Sequence, residues 1–278
     1  MEFRVETITP EVAAEYLQHN VQNNRNLRRN YVEMLARDIQ RGAWRCTHQG
    51  IAFDDKGNLI DGQHRLSAVL LANKPVKMVV ARGLVTDMVN SIDKGAQRSL
   101  HDTIMITHTG CDEKSIALRH RDVLGAISRL VSANVTRVNK ISAREAVLVF
   151  DEYSDACLSL YRIGRIGFGR KNATEMAACL AALINGVPED AVGKFLRVFR
   201  EANIQGCEGY NVQIALQWRH YLDGLRAKHT YLDKRVMYVT TQFVIWNFVN
   251  NTSLQRAVPV EDEKYSVKTR VSELFRRC

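Results

Sequence analysis

Apolar residues recur along this chain with two different periods. Val32, Leu35, Ala36 and Ile39 fall at i, i+3, i+4 and i+7, the spacing of one helix face, and Gly42 closes the run. Upstream, Thr9-Pro10-Glu11 supplies a capping hydroxyl, a proline that gives up no needed N–H and an acid, which predicts a short helix to about Leu17. Ile51-Ala52-Phe53 and Leu59-Ile60 flank Asp54-Asp55-Lys56-Gly57-Asn58, and turn chemistry between two short apolar runs predicts a β-hairpin. A helix presenting Leu66, Val69 and Leu70 follows and ends before Pro75. Val76 to Ala81 then reads as a strand and Thr86 to Ser91 as a short helix.

Beyond Ser99 the strand signal fades and helical periods repeat. One long helix is expected from Glu113 to Val131, and Ser142-x-x-Glu145 is a capping box opening another. Further helices are expected near Ala173 to Leu183, Glu189 to Ala202, Val212 to Ala227 and Val236 to Asn250. The last is rich in β-branched and aromatic residues, which argues against its own helical period. The expected fold class is α+β: a small mixed domain over residues 1–110 and an all-helical domain over residues 111–278.

Composition narrows the setting. With 278 residues, 46% of them hydrophobic and 25% charged, the chain can bury a full core. The longest apolar run, Val236 to Val249, is interrupted by Thr240, Thr241, Gln242 and Asn247, so no membrane partner is expected. Met1-Glu2-Phe3-Arg4 lacks the apolar core of a secretion signal, and a cytoplasmic location is expected. Six cysteines lie scattered without a CxxC pair, which reads as reduced thiols rather than a zinc site. The net charge of +9 suits DNA or another polyanion, and a merely solvated basic surface is the plain alternative.

The candidate chemistry sits where the hairpin meets the next helix, at Asp61-Gly62-Gln63-His64-Arg65. A helix start carries N–H groups without intrahelical acceptors and a partial positive charge, which together seat an anion. Gly62 admits an anion close to the backbone, and the Arg65 fork matches a phosphate. His64 can donate to a phosphate oxygen or move a proton, with Asp61 as a catalytic carboxylate. In the plain alternative, His64 and Arg65 only cap the helix and pair with Asp61 or Asp93.

The same string resembles the signature of the ParB/sulfiredoxin-like superfamily, in particular its DGQHR branch. Asn24-Arg25, the amphipathic helix, Gly42-Ala43-Trp44 and the hairpin resemble the N-terminal part of bacteriophage and plasmid ParB-like proteins. Ile92-Asp93-Lys94-Gly95 with Arg98-Ser99 and Asp102 resembles the segment that closes that domain. The resemblance covers about residues 5 to 108 and leaves the helical remainder without a counterpart. It implies a nucleotide-binding pocket formed by Gly62, Gln63, His64 and Arg65 with Asn24, Arg25, Asp93 and Arg98. The implied ligand is a nucleoside triphosphate, ATP or CTP, with Mg2+ as an optional companion, and the implied partner is DNA, with room for a homodimer.

Departures matter as much as matches. Sulfiredoxin carries a cysteine where Gln63 stands here, so its sulfur chemistry has no counterpart. The chromosome-partitioning proteins carry Gly-Glu-Arg-Arg, so Gln63 replaces a carboxylate and His64 an arginine. Glutamine is neither a base nor a strong magnesium ligand, which puts CTP clamping of that kind in doubt and would leave metal binding to Asp61 or Asp93. Three functions are therefore carried forward. The first is a ParB-like protein that binds a nucleotide phosphate and acts on or near DNA. The others are a nuclease or nucleotide-dependent phosphotransferase, and a non-enzymatic DNA- or protein-binding regulator with a vestigial pocket. Arg37 and Arg41, on the polar face of their helix, suit a DNA backbone. Arg162, Arg165, Arg170 and Lys171 read as a second basic loop, interleaved with Tyr161 and Phe168. Trp44 reads first as a core anchor and only second as a stacking platform.

Overall fold

The computed structural model describes residues 1–21, 26–85, 99–135, 140–165 and 172–252, together with residues 138, 259, 267, 271, 273 and 274. The fold is mixed α+β, and the chain divides into two compact units, Met1–Gln97 and Arg98–Cys278.

In the first unit, strand β1 (Glu2–Ile8) leads into helix α1 (Pro10–Gln18), capped by the Thr9 hydroxyl, and α2 (Arg29–Gln40) follows. The hairpin β2 (Ile51–Asp54) and β3 (Leu59–Asp61), helix α3 (Gln63–Ala72) and strand β4 (Val76–Leu84) complete its described part. The sheet runs in the order β1-β4-β2-β3, with β1 and β3 antiparallel to their neighbours and β2 parallel to β4. Ile8, Met78, Val80, Ile51 and Leu59 meet Ala13, Val32, Ala36, Ile39, Leu66 and Val69 in one core, so α1, α2 and α3 cover one sheet face. Asp54 fixes the hairpin: its carboxylate accepts the Lys56 and Asn58 N–H groups at 2.9 and 2.7 Å and the Asn58 amide at 2.9 Å. Beyond α1 the chain lies along the edge of β3. Leu59 donates to the His19 carbonyl at 2.7 Å, and Asn20 forms an isolated parallel bridge with Leu59.

β1 was not anticipated from the sequence. It is an edge strand whose Phe3 and Val5 are exposed, so its alternation marks no buried face. Its Glu6 is instead tied across the sheet. Arg82 on β4 grips the Glu6 carboxylate with both Nη atoms, and the Tyr16 hydroxyl donates to the same carboxylate at 2.8 Å.

The second unit contains α4 (Leu100–Thr107), α5 (Glu113–Arg119), α6 (Arg121–Asn134), α7 (Ala143–Glu152), α8 (Ser154–Gly164), α9 (Ala173–Ile184), α10 (Glu189–Glu201), α11 (Val212–Ala227) and α12 (Lys234–Val249). No strand occurs among its described residues. The alanine-rich α9 is buried from Thr174 to Ala182, and its small side chains let α6, α8 and α12 approach on different sides.

Four sequence expectations change here. The helix expected from Glu113 to Val131 is two, because His120 adopts extended backbone (ψ 129°), which lets α5 bury Ala117 and Leu118 separately from the Val123, Leu124 and Ile127 face of α6. The unit boundary falls at 97/98 rather than near 110. Ser99 and Asp102, read as closing the first domain, form the capping box of α4, which packs against α5, α6 and α7. The basic loop near Arg162 is in part the helix α8: Tyr161 is buried, and Arg162 makes two 2.8 Å bonds to Glu113. Arg170 and Lys171, and the helix expected at Thr86 to Ser91, lie outside the described residues.

α12 is a helix despite its composition. Asp233 caps it by accepting from Arg235 and Val236 N–H groups, and among the polar residues that interrupt its apolar face Thr241 and Asn247 find partners inside the core, while Gln242 Oε1 is buried with none among the described residues. Thr241 and Asn247 donate to carbonyls one turn back, at 2.7 Å each, and the Trp218 indole donates to Thr241 at 3.1 Å. Among the described residues, no helix is long and apolar enough to cross a membrane.

Candidate functional site

The strand-turn-helix expected at Asp61 to Arg65 is present. Asp61 ends β3, Gly62 is the N-cap of α3, and Gln63, His64 and Arg65 form its first turn. Gly62 has φ +108°, in the region open to glycine, and a Cβ there would come within 3.1 Å of the Ile51 backbone on β2. The corner is therefore a glycine for two independent reasons. Leu66 is the first residue to donate back into the helix, to the Gly62 carbonyl at 3.0 Å. The N–H groups of Gln63, His64 and Arg65 consequently have no acceptor within α3. Its N-cap, Gly62, makes no side-chain cap bond, and its first turn holds no acidic residue.

The side chains of the motif are held closely. Gln63 and His64 are buried. The Asn20 amide donates to Gln63 Oε1 at 3.1 Å. The main-chain N–H of Arg28 donates to His64 Nε2 at 3.0 Å, so that ring nitrogen is unprotonated in this arrangement. The Tyr31 ring meets the imidazole edge-on, with centroids 5.7 Å apart. Two ends of the polar run Asn20 to Arg29 thus come to the helix start.

Arg65 carries the electrostatics. One Nη2 reaches both Asp61 Oδ2, at 2.9 Å, and the Gly50 carbonyl. Asp61 Oδ1 accepts the Gly62 N–H at 2.7 Å. The Arg65 Nε, by contrast, is buried with no hydrogen-bond partner among the described residues. A buried guanidinium N–H without an acceptor is costly and marks either a strained contact or a seat for an absent one.

Of the residues singled out from the sequence, Asp61, Gly62, Gln63, His64 and Arg65 are thus brought together. Asn24, Arg25, Asp93 and Arg98 lie outside the described residues. Four residues at the site were not anticipated in their roles: Gly50, Asn20, the Arg28 main chain and Tyr31. Gly50 had a legible signal, a glycine directly before a strand. Its Cβ would fall 1.8 Å from the Val79 carbonyl oxygen, so only glycine lets its own carbonyl reach Arg65 from there.

Among the described residues, no group of three or more His, Cys, Asp or Glu side chains is gathered as a metal ion requires. Cys157 and Cys179 are buried, and desolvation pushes both thiols far above the ordinary range, away from the reactive thiolate. Comparison with known proteins adds no relative: no family model, no curated protein and no solved structure matches this chain.

Proposed function

We propose that this chain is a ParB-like protein of the DGQHR type, which holds a nucleotide phosphate at the start of α3 and works on or near DNA. One observation carries the phosphate half: a glycine-cornered helix start with no acidic first turn, beside a buried Arg65 Nε that lacks an acceptor. An anionic oxygen supplies acceptor lone pairs for the first-turn N–H groups and the Arg65 Nε, beside the Asp61 carboxylate already paired with Arg65. The DNA half rests on the resemblance and on the net charge of +9.

A nucleoside triphosphate such as ATP or CTP fits the donor set through its phosphates. Gly62 would give it access, the first-turn N–H groups of α3 would donate to it, and Arg65 would bind it through Nε. Magnesium fits less well. Asp61 has one oxygen on the Gly62 N–H and the other on Arg65, so a cation there would have to compete with the Arg65 guanidinium for the carboxylate.

The bonding favours a binding module over an enzyme. His64 Nε2 serves as an acceptor for Arg28, so acid–base work through that nitrogen would first require the Arg28 bond to open. Isothermal titration against ATP, CTP, GTP and UTP, with and without Mg2+, tests the reading. At least one should bind, and Arg65→Lys, which keeps the charge but loses the fork and Nε, should weaken it by about 10- to 100-fold. Failure of all four to bind would end the nucleotide half. Turnover of a bound nucleotide or of DNA, lost in a folded His64→Ala variant, would instead make the protein an enzyme.

A further inference from the structure

A basic cleft lies elsewhere on the first unit, lined by none of the Asp61 to Arg65 residues. A cleft of about 480 Å³ opens where the end of α2 and the segment Gly42–Cys46 meet the turn from α3 into β4. Its nine lining residues include Arg45, Lys74 and Lys77, together with Trp44, and none of the nine is acidic. Arg45, Lys74 and Lys77 are exposed, as are Gly42, Cys46 and Pro75, so this is a surface groove rather than an enclosed chamber.

Two of the three cations are held by neutral groups. Lys74 donates to the Gln40 carbonyl at 2.8 Å, and Arg45 donates through one Nη to the Gly42 and Trp44 carbonyls at 3.0 Å each. Among the described residues no carboxylate pairs with Arg45, Lys74 or Lys77, so their charge is uncompensated and their remaining N–H groups are available. Trp44 is partly buried against the first core, and its indole N–H is spent on the Lys77 carbonyl at 3.1 Å. What it lends the cleft is therefore carbon ring surface.

We infer that this cleft is a binding groove for a single-stranded nucleic acid, with phosphates on Arg45, Lys74 and Lys77 and a base against Trp44. Uncompensated cations beside an aromatic ring are the combination that a strand with alternating phosphates and flat bases satisfies. A small nucleotide is the poorer occupant, because small-ligand sites enclose most of their ligand and this groove has open walls. A duplex is poorer again, since its bases are stacked away from Trp44.

Cys46 lines the groove and supplies the probe, and the exposed Cys111 of the second unit supplies the control. The full-length protein would be alkylated with and without a saturating oligothymidylate of about 20 nucleotides, a length several binding sites long. Alkylation at each cysteine would be followed by peptide mass spectrometry. The strand should slow Cys46 by about tenfold or more and leave Cys111 unchanged. The charge reversal Lys74→Glu/Lys77→Glu should abolish that protection and weaken binding by at least about tenfold in fluorescence anisotropy. Unchanged alkylation of Cys46, no binding of the strand, or wild-type affinity in the folded double variant would each overturn the groove. Equal protection by a duplex would overturn the choice of a single strand. Protection of Cys46 in a chain that binds no nucleoside triphosphate would show that the groove stands while the phosphate reading of α3 falls.

Discussion

At Gly62 a side chain is disfavoured by two features, a φ of +108° and a Cβ that would come within 3.1 Å of the Ile51 backbone. Gly62→Ala should therefore destabilise the fold by about 1–3 kcal/mol in urea unfolding, and should displace the first turn that carries Gln63, His64 and Arg65. An unchanged midpoint would mean that the corner is not strained. Glu6 provides a second test at this scale. Its hydrogen bonds from Arg82 hold the carboxyl below the ordinary glutamate range, against the opposing effect of partial burial. A depressed folded pKa adds stability that is present above the unfolded pKa and is lost as pH falls through the folded one. Glu6→Gln should thus cost stability near neutral pH, and the gap to wild type should close below about pH 4. A gap that stays constant from about pH 7 to about pH 3, measured by denaturant unfolding, would remove the Arg82 pair as its cause.

Among elements, those with explicit punctuation were legible and those without it were not. Ser142-x-x-Glu145 announced α7: the Ser142 hydroxyl accepts the Glu145 N–H at 3.3 Å, and the Glu145 carboxylate accepts the Ser142 N–H at 2.8 Å. Removing that hydroxyl in Ser142→Ala should cost about 1 kcal/mol, seen as a lowered urea midpoint with an unchanged slope. The hairpin was legible for the same reason, since Asp54, Gly57 and Asn58 state their turn locally. The break at His120 had no such mark: Arg119-His120-Arg121 contains neither glycine nor proline, and only the separate burial of α5 and α6 requires it. α8 was hidden behind Gly164 and its arginines, although Cys157, Leu158, Leu160 and Tyr161 are buried. At the candidate site the first turn of α3 could be read from Asp61 to Arg65. Its partners could not, because Asn20 and the Arg28 main chain reach it only through the path of the chain after α1.

For the molecule as a whole, charge is the property that two proposed sites share. Lys and Arg number 39 against 30 Asp and Glu, and an excess of this size attracts any polyanion from a distance. General attraction and a defined groove differ in their salt dependence. A strand that places phosphates on Arg45, Lys74 and Lys77 releases about three counterions, which gives a slope of log affinity against log salt of roughly −2. Lys74→Glu/Lys77→Glu changes the net charge from +9 to +5, since each substitution removes one positive charge and adds one negative. If the whole surface does the binding, two other exposed lysines reversed to glutamate, such as Lys114 and Lys228, should weaken it equally. If the groove does it, the Lys74/Lys77 variant alone should lose most of the slope, and the matched control should keep a value close to wild type. Fluorescence anisotropy across a salt series with all three proteins makes that comparison. Equal slopes in the two variants would assign the affinity to net charge and leave Trp44 as a core residue only.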